Sequence, residues 1–239
     1  MAKPLLSVTG LDAYYGGSHI IQNASLTVRH GESVALLGRN GAGKSTLMKS
    51  LLDAGPRVSG TIEFDGQALT GLPTEKRSRL GLMLVPEDRR IYPKITVAEN
   101  IELGRFARPQ ANDRSMTLAE IWELFPMLEP LKERNGYQLS GGQQQVVAVA
   151  RGVFGLPKLL LLDEPVEGLA PVIVDEMADH LARLRARGGL SFLIAEQNLS
   201  FARQCTDRVF LIDSGRIVFD GSWDEFDADP TLKERYLAV

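Results

Sequence analysis

The stretch GRNGAGKST, Gly38 to Thr46, decides the fold. It satisfies the pattern G-x-x-x-x-G-K-[ST] at Gly38, Gly43, Lys44 and Ser45. Each residue type has a chemical reason. Glycines carry no Cβ, so consecutive backbone N–H groups can turn inward and cradle a phosphate. The N-terminus of the following helix adds partial positive charge. Lys44 is a point charge for β and γ phosphates, and Ser45 supplies a hydroxyl to Mg²⁺. The whole loop (Gly38, Arg39, Asn40, Gly41, Ala42, Gly43, Lys44, Ser45 and Thr46) is read as a nucleotide-phosphate site. Its neighbours agree, since SVALLG directly before reads as a buried strand and GAGKSTLMKSLLDAG as a helix ending before Gly55.

A phosphate loop needs a carboxylate near its metal, held on a neighbouring strand end. KLLLLDEP is a continuous apolar run bounded by Pro157 and Pro165, the pattern of a strand buried on both faces of a parallel sheet. It delivers Asp163 and Glu164 at its end. Asp163 is placed to hold Mg²⁺ through water, and Glu164 to orient and polarise an attacking water. Alone, the pair would be an ordinary polar strand terminus. A second anion site of the same physical kind opens the helix of LSGGQQQVVAVARGVFG, where Ser140, Gly141 and Gly142 offer a hydroxyl and two N–H groups. It reads either as a simple helix cap or, having no lysine of its own, as a site shared across a dimer.

The remaining chain supplies the frame. SLTV and SVALLG flank the turn His30-Gly31, and TIEF and QAL flank the hairpin signal Asp65-Gly66. From Thr96 to Gly136, TVAENIELGRFA and SMTLAEIWELFPML show helical spacing, with Leu118, Ile121, Trp122 and Phe125 on one inward face. LSFLIAE reads as a further buried strand, and RVFLIDSGRIVFDG as a hairpin turning at Ser214-Gly215. The expected fold is α/β: a P-loop NTPase (RecA-like) core with a mostly parallel sheet, an N-terminal antiparallel β subdomain and an inserted helical subdomain. We expect one domain over 1–239. About 1–75 is β-rich with the phosphate loop, about 88–150 is the helical part with LSGGQ, and about 151–239 is the rest of the core with a C-terminal hairpin.

Bulk properties narrow the function. The 239 residues are 44% hydrophobic and 24% charged, a globular balance that argues against disorder. Twenty-seven basic against 30 acidic residues give a net charge of −3, so nothing suggests a polybasic nucleic-acid surface. The single cysteine, Cys205, excludes an internal disulfide, fits a reducing cytoplasm and reads as a small buried hydrophobe. MAKPLLSVTG has no signal-peptide pattern, and no run of about 18 apolar residues exists to span a membrane.

Gly38–Thr46, LSGGQ at 139–143 and LLLLDEP at 159–165, in this order, resemble the nucleotide-binding subunits of ATP-binding cassette (ABC) transporters. The resemblance covers nearly the whole chain. It implies ATP and Mg²⁺ as cofactors and a head-to-tail pair of subunits, homodimer or heterodimer with a sister ATPase. Ser140, Gly141, Gly142 and Gln143 would then contact ATP in trans. It also implies Tyr15, in YYG, as the ring that stacks on adenine.

Three places depart from the commonest pattern of that family. Glu87, in VPEDRRIYPKITVAENI, stands where glutamine usually contacts Mg²⁺ and water. VEGLAP gives Val166, Glu167, Leu169 and Ala170, without the usual aspartate. Gln197, in AEQN, stands where histidine usually meets the γ-phosphate; a carboxamide can donate N–H there but cannot take a proton. Together these resemble the ATPases of importers for branched-chain amino acids, or for urea and short-chain amides. The implied partners are transmembrane permease subunits and, indirectly, an extracellular or periplasmic solute-binding protein, with no nucleic acid. The implied location is cytoplasmic, peripheral on the inner face of the cell membrane. Arg89 and Arg90 are open to two readings, partner contact or solvated charge. Alternatives are the ATPase of another ABC transporter such as a lipid exporter, a soluble ABC ATPase outside transport, and an inactive scaffold. Asn198 is expected to cap the next helix.

Overall fold

The structure, a computed structural model, describes residues 3–107 and 116–237. Ser115, the first residue of the second expected helical segment, lies outside the described residues.

The chain opens with β1 (Leu6–Tyr15) and β2 (Ser18–Val28), then β3 (Ser33–Leu37), α1 (Lys44–Leu51), β4 (Arg57–Phe64) and β5 (Gln67–Ala68). Next come α2 (Thr74–Arg79), β6 (Leu82–Val85), α3 (Val97–Glu102), α4 (Leu118–Leu124) and α5 (Gly141–Phe154). The rest is β7 (Leu159–Asp163), α6 (Pro171–Ala186), β8 (Ser191–Glu196), α7 (Leu199–Cys205), β9 (Arg208–Asp213), β10 (Arg216–Ser222), α8 (Trp223–Ala228) and α9 (Pro230–Tyr236).

Two sheets result. The smaller is antiparallel, in the order β2-β1-β4-β5, and the larger runs β10-β9-β3-β8-β7-β6. Within the larger, β9, β3, β8, β7 and β6 are parallel and only β10 is antiparallel. This is the expected P-loop NTPase arrangement. Every residue of β3, β7 and β8 is buried. That follows from their unbroken apolar runs, since helices or the second sheet cover both faces. Burying one such leucine contributes about 2 kcal/mol relative to leaving it exposed.

The hairpins at Asp65-Gly66 and Ser214-Gly215 form as expected, with positive φ at all four residues. The His30-Gly31 turn does something else. The strands on its two sides, β2 and β3, lie in different sheets, so the turn is a crossover. Apolar faces of both sheets close on α1, whose Leu47, Met48 and Leu51 share a core with Leu11, Ile21, Leu36 and Leu193. Gly215 secures the junction: its N–H donates to Ala42 O and its carbonyl accepts from Gln22 N, both at 2.9 Å. A Cβ there would collide with the Ile20 carbonyl.

Short helices between β6 and α5 pack on the other face of the larger sheet. Ile121 and Phe125 are buried, with Leu118 and Trp122 against them, so these aromatics are core residues as expected. Thr96, Thr117 and Ser140 each start a helix with a reciprocal capping box. Cys205 is buried, and burial pushes its thiol up to about 12, leaving it a packing residue.

Candidate functional site

The site forms where three parallel strands end side by side. After β3 the chain enters the Gly38–Thr46 loop, after β7 it delivers Asp163 and Glu164, and after β8 it delivers Gln197. The ladder pairs Leu37 with Glu196 and Asp163 with Ala195, so the three ends reach the same level. Parallel pairing puts all C-terminal ends on one edge, the usual place for a ligand in an open α/β sheet.

The loop is shaped by its glycines. Gly41 and Gly43 take φ of 79° and 111°, values that other residues adopt only under strain. Lys44 folds back over the loop: its Nζ donates to Gly38 O at 2.7 Å and Arg39 O at 3.1 Å. The same Nζ lies 2.9 Å from Glu164 Oε1, with both side chains buried. Ser45 Oγ donates to Asp163 Oδ1 at 3.0 Å. Gln197 Nε2 donates to Asn40 Oδ1 at 2.7 Å and to Glu164 Oε2 at 3.1 Å.

A cavity of about 490 Å³ opens above these groups. Asn40, Gly41, Gly43, Lys44, Ser45 and Thr46 line one wall, and Glu87, Glu164 and Glu167 another. Ile20, from β2, completes it. Burial pushes the Asp163 carboxyl up to about 6, with Glu164 and Glu87 adding to the rise and Ser45 opposing it. Burial also works to raise Glu164, but the hydrogen bond and charge of Lys44 outweigh it and hold Glu164 below its ordinary value. Glu167 is pushed up to about 7, first by its hydrogen bond with Glu164. So the lysine favours the charged form of one of two touching carboxylates, and the neighbour's charged form is disfavoured.

Other expected residues lie elsewhere. Tyr15 is half exposed and does not line the cavity; its hydroxyl lies beside Gly55. Ser140, Gly141, Gly142 and Gln143 start α5 away from the cavity. Ser140 Oγ accepts from Gln143 N at 3.3 Å, and Ser140 N donates to Gln143 Oε1 at 3.0 Å. The loop from Glu87 to Tyr92 is pinned to α5. Arg151 donates to Arg89 O and Arg90 O, both at 2.7 Å, and Arg89 Nε donates to Gln145 Oε1 at 3.1 Å. Arg89 therefore faces its own chain, whereas Arg90 is exposed with Asp88 as its ion-pair partner.

Sequence reasoning missed three participants. Glu167 stands in the sequence only as a departure from the family pattern, and its contact with Glu164 comes from the turn after β7, where Glu164 takes φ 48°. Ile20 carries no signal, because only the docking of the two sheets brings it here. Glu196, the residue before Gln197, turns a buried carboxylate onto three backbone N–H groups. An acidic residue at the end of an apolar strand was its one visible sign.

The sequence matches the ABC transporter family over residues 21–167. It is 37% identical to the high-affinity branched-chain amino acid transport ATP-binding protein BraG of Pseudomonas aeruginosa, over 98% of this chain and 99% of that protein. It is 30% identical to the probable branched-chain amino acid transport ATP-binding protein LivF of Archaeoglobus fulgidus, over 92% of this chain and 93% of that one. Among solved structures, a dimeric ATP-binding cassette in a post-hydrolysis state, bound to ADP and Pi, superimposes with a TM-score of 0.79. The two are 23% identical, over 91% of this chain and 98% of that chain.

Proposed function

The chain belongs to the ABC transporter family, and on that premise we propose that it is the ATPase subunit of an importer for branched-chain amino acids. As a family member it binds and hydrolyses ATP. The observation that carries the catalytic reading is the convergence of Lys44, Ser45, Asp163, Glu164 and Gln197 on one strand edge.

In this reading the Gly38–Thr46 backbone cradles the phosphates and Lys44 pairs with the β and γ phosphates. The residues fit Mg²⁺: Ser45 and Asp163 already touch, and the buried Asp163 carboxyl is raised with two further carboxylates adding to the rise. Among the described residues no cluster of three or more carboxylate, histidine or cysteine side chains forms a metal cage. Ser45, Asp163 and Glu87 would therefore hold the ion together with phosphate and water, the usual arrangement for Mg²⁺. When bound it neutralises charge on the phosphates. Glu164 takes a proton from the attacking water as the water oxygen bonds to the γ-phosphorus and the bridge to ADP breaks. Gln197 holds Glu164 and the γ-phosphate side in register by donating N–H, which needs no acid–base chemistry.

Tyr15 supports the adenine, and Ser140, Gly141, Gly142 and Gln143 close on ATP bound to the other subunit of a head-to-tail dimer. The chain acts as one nucleotide-binding domain with the divisions set out above. No helix among the described residues is long and apolar enough to cross a membrane. As in the importer reading, the chain meets the membrane through permease subunits on the cytoplasmic side. A groove of about 380 Å³ suits that contact. Tyr92, Phe106, Arg79, Arg90 and Arg151 line it, and Phe106 is 74% exposed.

Phosphate release by wild type and Glu164→Gln separates an ATPase from a binding scaffold. Substrate-stimulated hydrolysis in the assembled complex tests the substrate class. A response to sugars or lipids and not to amino acids would overturn the assignment.

A further inference from the structure

Two loops carry the reacting groups, and the sheet stops joining them at Glu164. The last link between β7 and β8 is Glu164 N donating to Ala195 O at 2.9 Å. Beyond it the chains separate, one running through Val166 and Glu167, the other through Gln197 and Asn198. Glu196 spans the gap. It is 3% exposed. Its Oε1 accepts from Val166 N at 3.3 Å, and its Oε2 accepts from Gln197 N at 2.9 Å and Asn198 N at 3.0 Å.

We propose that Glu196 is a positioning residue for ATP hydrolysis: it staples the loop after β7 to the turn after β8, and so holds the Gln197 carboxamide against Asn40 and Glu164. The proposal rests on the reading of Gln197 given above.

Three features support it. A buried carboxylate is costly unless it is well hydrogen-bonded, and here three backbone N–H groups on two loops offset part of that cost, although burial still holds the Glu196 carboxyl above its ordinary value. The Gln197 peptide is held by this carboxylate at one side while its side chain reaches Asn40 and Glu164 at the other, so the residue has little freedom left. Asn198 then caps α7 by accepting from Phe201 N at 3.1 Å, which fixes the far end of the turn. The job also needs two acceptor oxygens. A glutamine would present one oxygen and one NH₂, and the NH₂ would face backbone donors.

The test is Glu196→Gln, which keeps shape and volume, combined with Gln197→Ala in a double-mutant cycle. Glu196→Gln is expected to lower kcat about tenfold and to leave ATP Kd within about twofold, since the phosphate loop is untouched. If Glu196 acts through Gln197, the double variant turns over no more slowly than Gln197→Ala alone. A merely structural role would multiply the two losses, and that result would overturn the proposal. So would wild-type kcat in Glu196→Gln. Wild-type turnover by Gln197→Ala would remove the underlying reading and the proposal with it, and is distinct from multiplied losses in an impaired Gln197→Ala. Should Glu196→Gln fail to fold, the same cycle is run with Glu196→Asp, which keeps both oxygens and loses their reach.

Discussion

Lys44 Nζ and Glu164 Oε1 are 2.9 Å apart, in side chains only 3% and 7% exposed. Two residues 120 positions apart thus form a buried ion pair at the mouth of the phosphate loop. In the proposed mechanism a γ-phosphate and this carboxylate would compete for the same ammonium group, so ATP binding would release Glu164 toward water, because the lysine cannot fully serve both anions at close range.

Removing that competitor gives the first prediction. Glu164→Gln should bind ATP several-fold more tightly while turnover falls by about 100-fold or more, the usual range for losing a general base. Nucleotide titration and phosphate release on one preparation read both. Unchanged affinity would mean that the ion pair does not oppose ATP.

Asp163 gives a stability prediction with a definite sign. Its carboxyl is raised from 3.8 to about 6 in the fold, with burial the largest cause. The folded protein therefore favours the protonated form. The penalty is absent below the unfolded value, grows as pH rises from about 4 to 6, and is complete above it. Asp163→Asn should raise the melting temperature at pH 7.5 without divalent cations, the gain in stability being at most about 3 kcal/mol. The gain should vanish near pH 4. Thermal melts across that range decide it, and a gain that did not depend on pH would contradict this account.

His180 tests the packing of α6 against the helices before α5. It is 5% exposed and tilts against Phe125 with ring centroids 4.9 Å apart. Burial holds its imidazole below the ordinary value, with Arg183 acting the same way and the Leu124 backbone and Asp179 opposing. The fold thus keeps it neutral, and stability should fall as pH drops below about 6.5, where the unfolded chain takes up the proton. His180→Leu should flatten that limb. A difference between the two proteins' urea midpoints that is the same at pH 5.5 as at pH 8 would refute the idea.

Arg151 holds two consecutive left-handed residues, Arg89 at φ 59° and Arg90 at φ 48°, by their carbonyls. Arg151→Met keeps the stem and removes the donors. It should cost about 2 kcal/mol in urea unfolding. Arg151→Lys should recover part of that. A loss below about 0.5 kcal/mol would mean that the loop holds its shape unaided.

Much of this was legible in the chain. The apolar runs of β3, β7 and β8 announce a parallel sheet buried on both faces, and the Gly38–Thr46 pattern places a helix start after the first of them. Asp65-Gly66 and Ser214-Gly215 announce hairpins because positive φ is a local demand. The His30-Gly31 turn was not legible as a crossover. The residues of a turn state that the chain reverses, and they do not state which sheet receives the next strand.

Sequence by itself determined which residues sit at strand ends, because burial period and backbone preference are properties of short segments. Only the tertiary structure decided which of those ends meet. The register of β3, β7 and β8 brings Gln197 within 2.7 Å of Asn40, 157 positions away, and Glu196 onto the backbone of Val166. It also gives Glu164 to Lys44 and pushes the Glu167 carboxyl up beside it. Such assignments depend on distances of a few ångströms between segments far apart in the chain, and charge interactions in a buried site change steeply over that range.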